Sequence, residues 1–412
     1  MNDRKVPKLR FPEFSGDWSK TTLSNIVIRV ESGISVNSED FPVKNRNEAG
    51  VLKTSCIMQG IFKEIENKKI IPQEVERAKI SLVKNTILVS RMNTPQLVGE
   101  SGFIADDYPH LFIPDRLWML FFNEKLSNTK FISLLMIRDK FRMSLSDIAT
   151  GTSNSMKNIS KTNFLSIPIT LSSEPEQSKI ADFLTNVDDK IQQLTQKKEL
   201  LEQYKKGIVQ QMFSQQIRFK DDNGNNYPNW QEKELKEIAE VNPKSENLPN
   251  NFYYIDLESV NNGRVGTLNY INSNDAPSRA QRVLSQNDIL FQMVRPYQRN
   301  NLLFSFTSED NYVASTGYAQ LRARENYDYK FIFQMLLTEN FVNTVMLRCT
   351  GTSYPAINSS DLSTITINIP KYEEQVKIAD FLTSLDDKIT QVNNNLEQTK
   401  LFKKSLLQQL FI

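Results

Sequence analysis

Cysteine and histidine are nearly missing from this 412-residue chain, which holds two cysteines, Cys56 and Cys349, and one histidine, His110. Two thiols so far apart in sequence argue against a disulfide framework and against a thiolate metal cluster. A single imidazole nearly excludes a histidine-based triad or a zinc hydrolase, and His110, beside Pro109, reads as a loop residue. Glycine is sparse at 13 residues and never occurs as G-x-G. No G-x-x-x-x-G-K-[ST] is present either, so neither a dinucleotide or methyl-donor loop nor a nucleotide phosphate loop is expected. The chain has no run of eighteen apolar residues. Its first stretch, MNDRKVPKLRFPEF, carries charges and prolines where a signal peptide needs a hydrophobic segment, so a cytoplasmic protein without a membrane partner is expected. Charge of one sign is lacking too: 50 Lys and Arg against 48 Asp and Glu leave a net charge of +2. The overall charge announces no particular partner, although the basic residues can still be grouped on one face.

What is present is a repeat. Glu176 Gln177, Lys179 to Thr185 (KIADFLT), Asp188 to Ile191 (DDKI), Lys205 Lys206, Gln210 Gln211 and Phe213 return at Glu374 Gln375, Lys377 to Thr383, Asp386 to Ile389, Lys403 Lys404, Gln408 Gln409 and Phe411, at a constant shift of 198 positions. An ungapped repeat of this length marks a duplicated structural unit. Ile180, Val187, Leu194, Leu201 and Ile208 fall seven apart, and Phe183, Leu184, Ile191, Tyr204 and Met212 widen the stripe. The second copy carries Ile378, Phe381, Leu382, Leu385, Ile389, Val392, Leu396, Phe402, Leu406 and Leu410, with Thr399 the one break in the series. A heptad stripe packs against another helix, and the matching stripe is the chain's own second copy. Each helix would be roughly 60 Å long at about 1.5 Å per residue, the length of a spacer rather than of a core helix.

The repeat extends outward from the helices. Thr150 Gly151 Thr152 Ser153 and Thr350 Gly351 Thr352 Ser353 each precede an apolar alternation, Leu165 Ile167 Ile169 Leu171 and Ile365 Ile367 Ile369, which has the period of a half-buried strand. Ser173 and Glu176, with Pro175 in the first turn, spell a capping box for the first helix. Further upstream, Asn85 to Met92 resembles Asn287 to Met293 as a turn feeding a buried strand, whereas residues 97 to 140 and 301 to 345 can hardly be aligned. Leu9 Arg10 Phe11 with Trp18, Leu23 and Ile26 mirrors Ile217 Arg218 Phe219 with Trp230, Leu235 and Ile238. In the second half this motif follows a long helix, so the segment at residue 9 is expected beside the end of the other helix, near Ile412.

The two buried strands end in polar and basic residues. Arg91, Asn93, Thr94 and Gln96 follow the first; Gln292, Arg295, Gln298, Arg299 and Asn300 follow or close the second. These residue types carry the paired donors and acceptors that match base edges in the major groove, and they are equally ordinary in a polar loop. Thr152, Ser153, Thr352 and Ser353 flank a flexible glycine whose backbone could approach a phosphate, or simply turn the chain into a strand. Two divergent globular parts on a helical spacer suit two half-sites on DNA at a fixed separation. A helical adaptor that binds protein partners without reading DNA is the competing reading. A nuclease using the repeated Asp188 Asp189 Lys190 is another, although that triplet lies in mid-helix.

The E-Q-x-K-I-A-D-F-L-T-x-x-D-D-K-I pattern (Glu176 to Ile191 and Glu374 to Ile389), the T-G-T-S turns and Ala314 Ser315 Thr316 Gly317 Tyr318 together resemble the specificity (S) subunit of type I restriction-modification systems, along the whole chain. The resemblance implies an α+β fold with two globular target recognition domains, 1–172 and 217–370, joined by two long antiparallel helices, 173–216 and 371–412, in a pseudo-twofold internal repeat. It implies a non-catalytic DNA-binding protein in which each domain reads one half of a bipartite, asymmetric site. The paired helices would set the gap and dock two methyltransferase (M) subunits, with restriction (R) subunits joining the full complex. S-adenosylmethionine, ATP and Mg then belong to those partners, and this chain needs no cofactor or metal of its own.

Overall fold

The computed structural model describes residues 6–151, 156–244, 247–261, 263–306 and 309–412. They form two compact units, Met1–Leu194 with Asn395–Ile412 and Thr195–Asn394, so each unit takes part of both long helices.

Each unit is built around one strand that is buried throughout. In the first unit Thr86–Ser90 is buried at every position. Its side chains alternate between two cores, with Ile87 and Val89 in one and Leu88 in the other. In the second unit Ile289 and Phe291 face one core and Leu290 the other. A strand covered on both faces needs no polar alternation, which is why these stretches read as continuous apolar runs.

The sheets around these strands are the same in both units. One sheet of the first unit runs Ser101–Ile104, Thr86–Ser90, Leu117–Phe122, Val27–Ser32, antiparallel throughout. The second unit has Leu302–Leu303, Ile289–Gln292, Tyr318–Ala323, Ala239–Val241 in the same order. The other sheet runs Asn67–Lys69, Gly50–Leu52, Tyr108–Phe112, Ser81–Leu82 with a parallel central pair. Its counterpart is Asn269–Asn272, Asn251–Ile255, Tyr312–Ser315, Ala280–Val283, again with a parallel centre. Residues 97–140 and 301–345 therefore share a topology that their sequences hide. Alternation and burial suffice to keep a strand in register, so side-chain identity is free to drift.

The long helices span Glu174–Phe213 and Tyr372–Gln409. In the first unit Ile180, Leu184 and Val187 share a core with Leu406, Leu410 and Phe411. In the second, Ile378, Leu382 and Leu385 share one with Met212, with Ile208 and Phe213 against it. The start of each helix thus lies on the end of the other, an antiparallel pair. Tyr204 and Phe402, read as stripe residues, are instead exposed. The cause lies one residue further on: Lys205 bonds Asp386, and Lys403 pairs with Asp188, across the helix pair. Once the lysine takes the inward position, its predecessor points about 100° away.

The repeated Glu-Gln dipeptides anchor the helix starts. Glu176 is buried and receives Arg10 in a two-pronged ion pair at 2.8 Å on each oxygen. Glu374 receives Arg218 at 3.0 and 2.6 Å. The Glu176 carboxylate, read as half of a capping box with Ser173, is thus taken up by Arg10. Gln177 accepts from the Asn128 amide and donates to the carbonyls of Leu126 and Ser172. Gln375 accepts from the Asp328 amide and donates to Pro370 O. Asn128 and Asp328 in turn cap the helices Thr129–Met136 and Tyr329–Leu336. One dipeptide therefore ties an incoming arginine, a neighbouring helix start and the long helix together, once per unit.

The segment at residue 9 closes the first unit as expected: the Leu9 amide donates to Gln409 O at 3.0 Å. Phe11 meets Phe183 edge-on, as Phe219 meets Phe381, and Trp18 packs with Phe131 and Phe411 as Trp230 does with Phe331 and Phe213. His110 is in the strand Tyr108–Phe112 and buried, not in a loop. The adjacent Pro109, which has no amide hydrogen, is tolerated where that strand's register shifts.

Candidate nucleic-acid interface

The strand-end clusters and the Thr-Gly-Thr-Ser turns are some 60 residues apart in sequence, and each unit brings its own pair together. In the second unit the strand Ile289–Gln292 runs out into a 3₁₀ turn, Pro296–Gln298. Arg295 and Arg299, on either side of it, are both left-handed, at φ 53° and 55°. The turn 350–356 closes on itself through paired Thr350 and Ala356 amides and carbonyls. It docks on the strand end through Ile357 N to Met293 O and Arg295 N to Pro355 O at 2.7 Å. Gly351 makes this possible at φ 88°, where an added Cβ would press on Tyr354 O.

Gln292 is buried beneath the loop: its amide nitrogen donates to Gln298 Oε1 and its oxygen accepts the Asn300 amide. It therefore shapes the loop and presents no edge to solvent. Gln298, Thr352 and Ser353 are exposed, while Arg295, Arg299 and Asn300 are partly so. The Arg295 guanidinium lies 4.3 Å from the centre of the Tyr354 ring. Glu339, in the neighbouring helix Glu339–Leu347, has its carboxyl held below the usual range first by the Lys206 hydrogen bond, with Arg299 adding to it.

The first unit repeats the arrangement with different chemistry. Met92–Asn93 pairs with Lys157–Asn158, and Thr150 pairs with Asn158. Ile159 N donates to Arg91 O, as Ile357 N does to Met293 O. Arg91, however, is tethered inside the unit: Nε donates to Asp115 O at 2.7 Å and Nη1 to Asn158 Oδ1 at 3.2 Å. Asn93 bonds Ser90 Oγ and the Thr94 amide. Thr94 and Gln96 are exposed. Thr152 and Ser153 lie outside the described residues.

In each Asp-Asp-Lys triplet the first carboxylate is taken up across the helix pair or by a neighbouring helix. Asp188 is engaged by Lys403, and Asp386 by Lys205 and Gln334. Among the described residues no three His, Cys, Asp or Glu side chains gather as a metal site, and no helix is long and apolar enough to cross a membrane. Sequence reasoning missed Tyr354. The signal was there, since the two turns diverge immediately after the shared Thr-Gly-Thr-Ser, to Asn154 in one and Tyr354 in the other.

Two copies of one α+β frame, each with a polar loop pair on its strand ends and a share of two long helices, define a duplicated binding protein. The family model described as "Type I restriction modification DNA specificity domain" matches residues 17–203 and again 227–399. The chain belongs to this family. The MjaVIII specificity subunit of a type I restriction enzyme from Methanocaldococcus jannaschii is 25% identical over 99% of this chain and 95% of its own length. The HindI specificity subunit from Haemophilus influenzae is 33% identical over 155 residues, which span 36% of this chain and a third of that protein. A crystal structure of the S subunit of a type I restriction-modification system from M. genitalium superposes with a TM-score of 0.62 at 17% identity, covering 99% of both chains.

Proposed function

We propose that this chain gives a type I restriction-modification complex its DNA target specificity and performs no chemistry itself. The observation that carries this reading is the double match to the specificity domain, once over each half of the chain. Each unit reads one half of a bipartite site. Because the loop pairs differ in chemistry, the two halves differ in sequence. The paired helices set the gap and provide docking surface for two methyltransferase subunits, and restriction subunits complete the assembly. S-adenosylmethionine, ATP and Mg act on those partners, in the cytoplasm.

Within this reading Thr94 and Gln96, with Asn93 behind them, form the reading edge of the first unit. Arg295, Gln298, Arg299, Asn300, Thr352 and Ser353 form that of the second, with Thr152 and Ser153 assigned by the repeat. Arg91 and Gln292 hold the loops in place. The test is an exchange of residues 21–150, or separately 231–350, for those of a relative, followed by sequencing of the methylated motif in a host carrying the complex. Each exchange is expected to change one half-site and leave the other intact. An exchange that alters both halves refutes the modular reading. A helical adaptor would yield no motif at all, and its binding would lack the steep salt dependence that phosphate contacts impose.

A further inference from the structure

The two units treat their loop arginines in opposite ways. Arg91 is tied by its guanidinium to Asp115 O through Nε and to Asn158 Oδ1 through Nη1, two of its five donors, which fixes it inside the unit. Arg295 has no hydrogen bond or ion pair from its guanidinium among the described residues; its one recorded partner is the face of Tyr354. Stacking on a ring uses the face of the guanidinium and leaves its in-plane N–H donors unspent. Those donors match the O6 and N7 acceptors of guanine, the commonest specific pairing in the major groove.

The backbone supports the same assignment. Left-handed φ values at non-glycine residues are strained, and they persist where the surroundings enforce them, often at ligand-contacting sites. Arg295 and Arg299 both adopt them, four residues apart. At Arg295 the docked turn supplies the enforcing contact, since its amide donates to Pro355 O, immediately after Tyr354; the Arg299 amide donates to Pro296 O within the 3₁₀ turn. Tyr354 itself is 62% exposed and fills no core, so an aromatic ring at this place has little structural purpose beyond the cation it carries. In the first unit Asn154 stands at the corresponding position in sequence, and that unit's own strand-end arginine, Arg91, is already tethered.

We propose that Arg295, held by Tyr354, is a guanine reader: the half-site bound by the second unit contains a guanine whose discrimination depends on this pair, and Tyr354 acts as its positioning residue. The inference rests on the DNA-reading function proposed above and adds which base and which residues.

The test uses the full chain with its methyltransferase partners and reads the methylated motif of the unaltered protein and of Arg295→Ala, Arg295→Lys, Tyr354→Ala and Tyr354→Phe. Arg295→Ala is expected to make one guanine position of one half-site degenerate, with discrimination falling roughly five- to hundredfold. Lysine should restore it only in part, because it lacks the planar fork. Tyr354→Ala should weaken the same position about two- to fivefold, and Tyr354→Phe, which keeps a ring face, should leave it unchanged. The other half-site is the internal control for folding, and the exposed Tyr354 gives variants that do not depend on the core. A clear bipartite motif without guanine in the affected half, or one unmoved by both alanine variants, overturns the inference and leaves the function standing. No motif for the unaltered complex would instead overturn the function.

Discussion

The Glu374–Arg218 pair offers a quantitative test of how the long helix is fastened to its unit. Glu374 has no exposed side-chain surface and Arg218 retains 21% of its own, while the two bonds between them measure 3.0 and 2.6 Å. The glutamate hydrogen bond is also the foremost reason the Arg218 guanidinium holds its proton above its ordinary range. Removing one partner of a fully buried pair costs about 3–5 kcal/mol. Here the stranded guanidinium keeps its bond to Pro228 O at 2.7 Å and can rehydrate through its open edge. We therefore expect Glu374→Ala to cost about 2–3 kcal/mol, below the full figure but above one ordinary neutral hydrogen bond. With a slope of about 2 kcal/mol per M, the urea midpoint of the second unit should fall by roughly 1 M. Glu374→Gln keeps the shape and an acceptor oxygen and should lose clearly less. Glu339→Ala, which breaks the exposed pair with Lys206, should leave the midpoint where it is. If Glu374→Ala and Glu339→Ala shift the midpoint equally, the dipeptide does not anchor the helix.

Three further outcomes are expected. Gln292→Leu strips the Asn300 amide and Gln298 of their buried partner and should cost about 1–3 kcal/mol in urea unfolding, with blurred discrimination in the second unit's half-site. Burial, partly opposed by Glu64, lowers the affinity of His110 for protons, so the unfolded chain is protonated first as the pH falls. Stability of the first unit should therefore decline as pH drops through the ordinary histidine value of about 6.5, until the lowered folded value is passed, and His110→Gln should flatten that slope. Cys56 is fully buried with its thiol pushed up, whereas Cys349 is only partly covered. Thiol titration of the native protein should register Cys349 first and Cys56 only in denaturant.

The parts of the fold legible in the sequence are those that the duplication repeats. The helices, the turn and strand before them, and the Leu9 to Trp18 motif recur because the same contacts are made twice. The role of Glu176 and Gln177 was invisible, since a buried Glu-Gln pair and a solvated one look alike until their partners, distant in sequence, are known. Tyr204 and Phe402 misled for a related reason: heptad counting credits an aromatic residue with the seam even where a neighbouring lysine has taken it for a cross-helix ion pair. At the loops, residue type suggested recognition, yet it could not separate Arg295, whose guanidinium is held only by a ring face, from Arg91, whose guanidinium is tethered by two hydrogen bonds inside its unit. That difference is set by Asp115 O and Asn158, contacts that no local pattern encodes.

The first unit is stitched from both extremes of the sequence, with Leu406, Leu410 and Phe411 inside its core. During synthesis the nascent chain cannot complete that core until residues 395–412 leave the ribosome, at least ten seconds after residue 194 at roughly 20 residues per second. Thr195–Asn394 is contiguous and free to settle earlier. A late frameshift that spares every residue up to Asn394 would therefore damage the unit translated first and spare the one translated second.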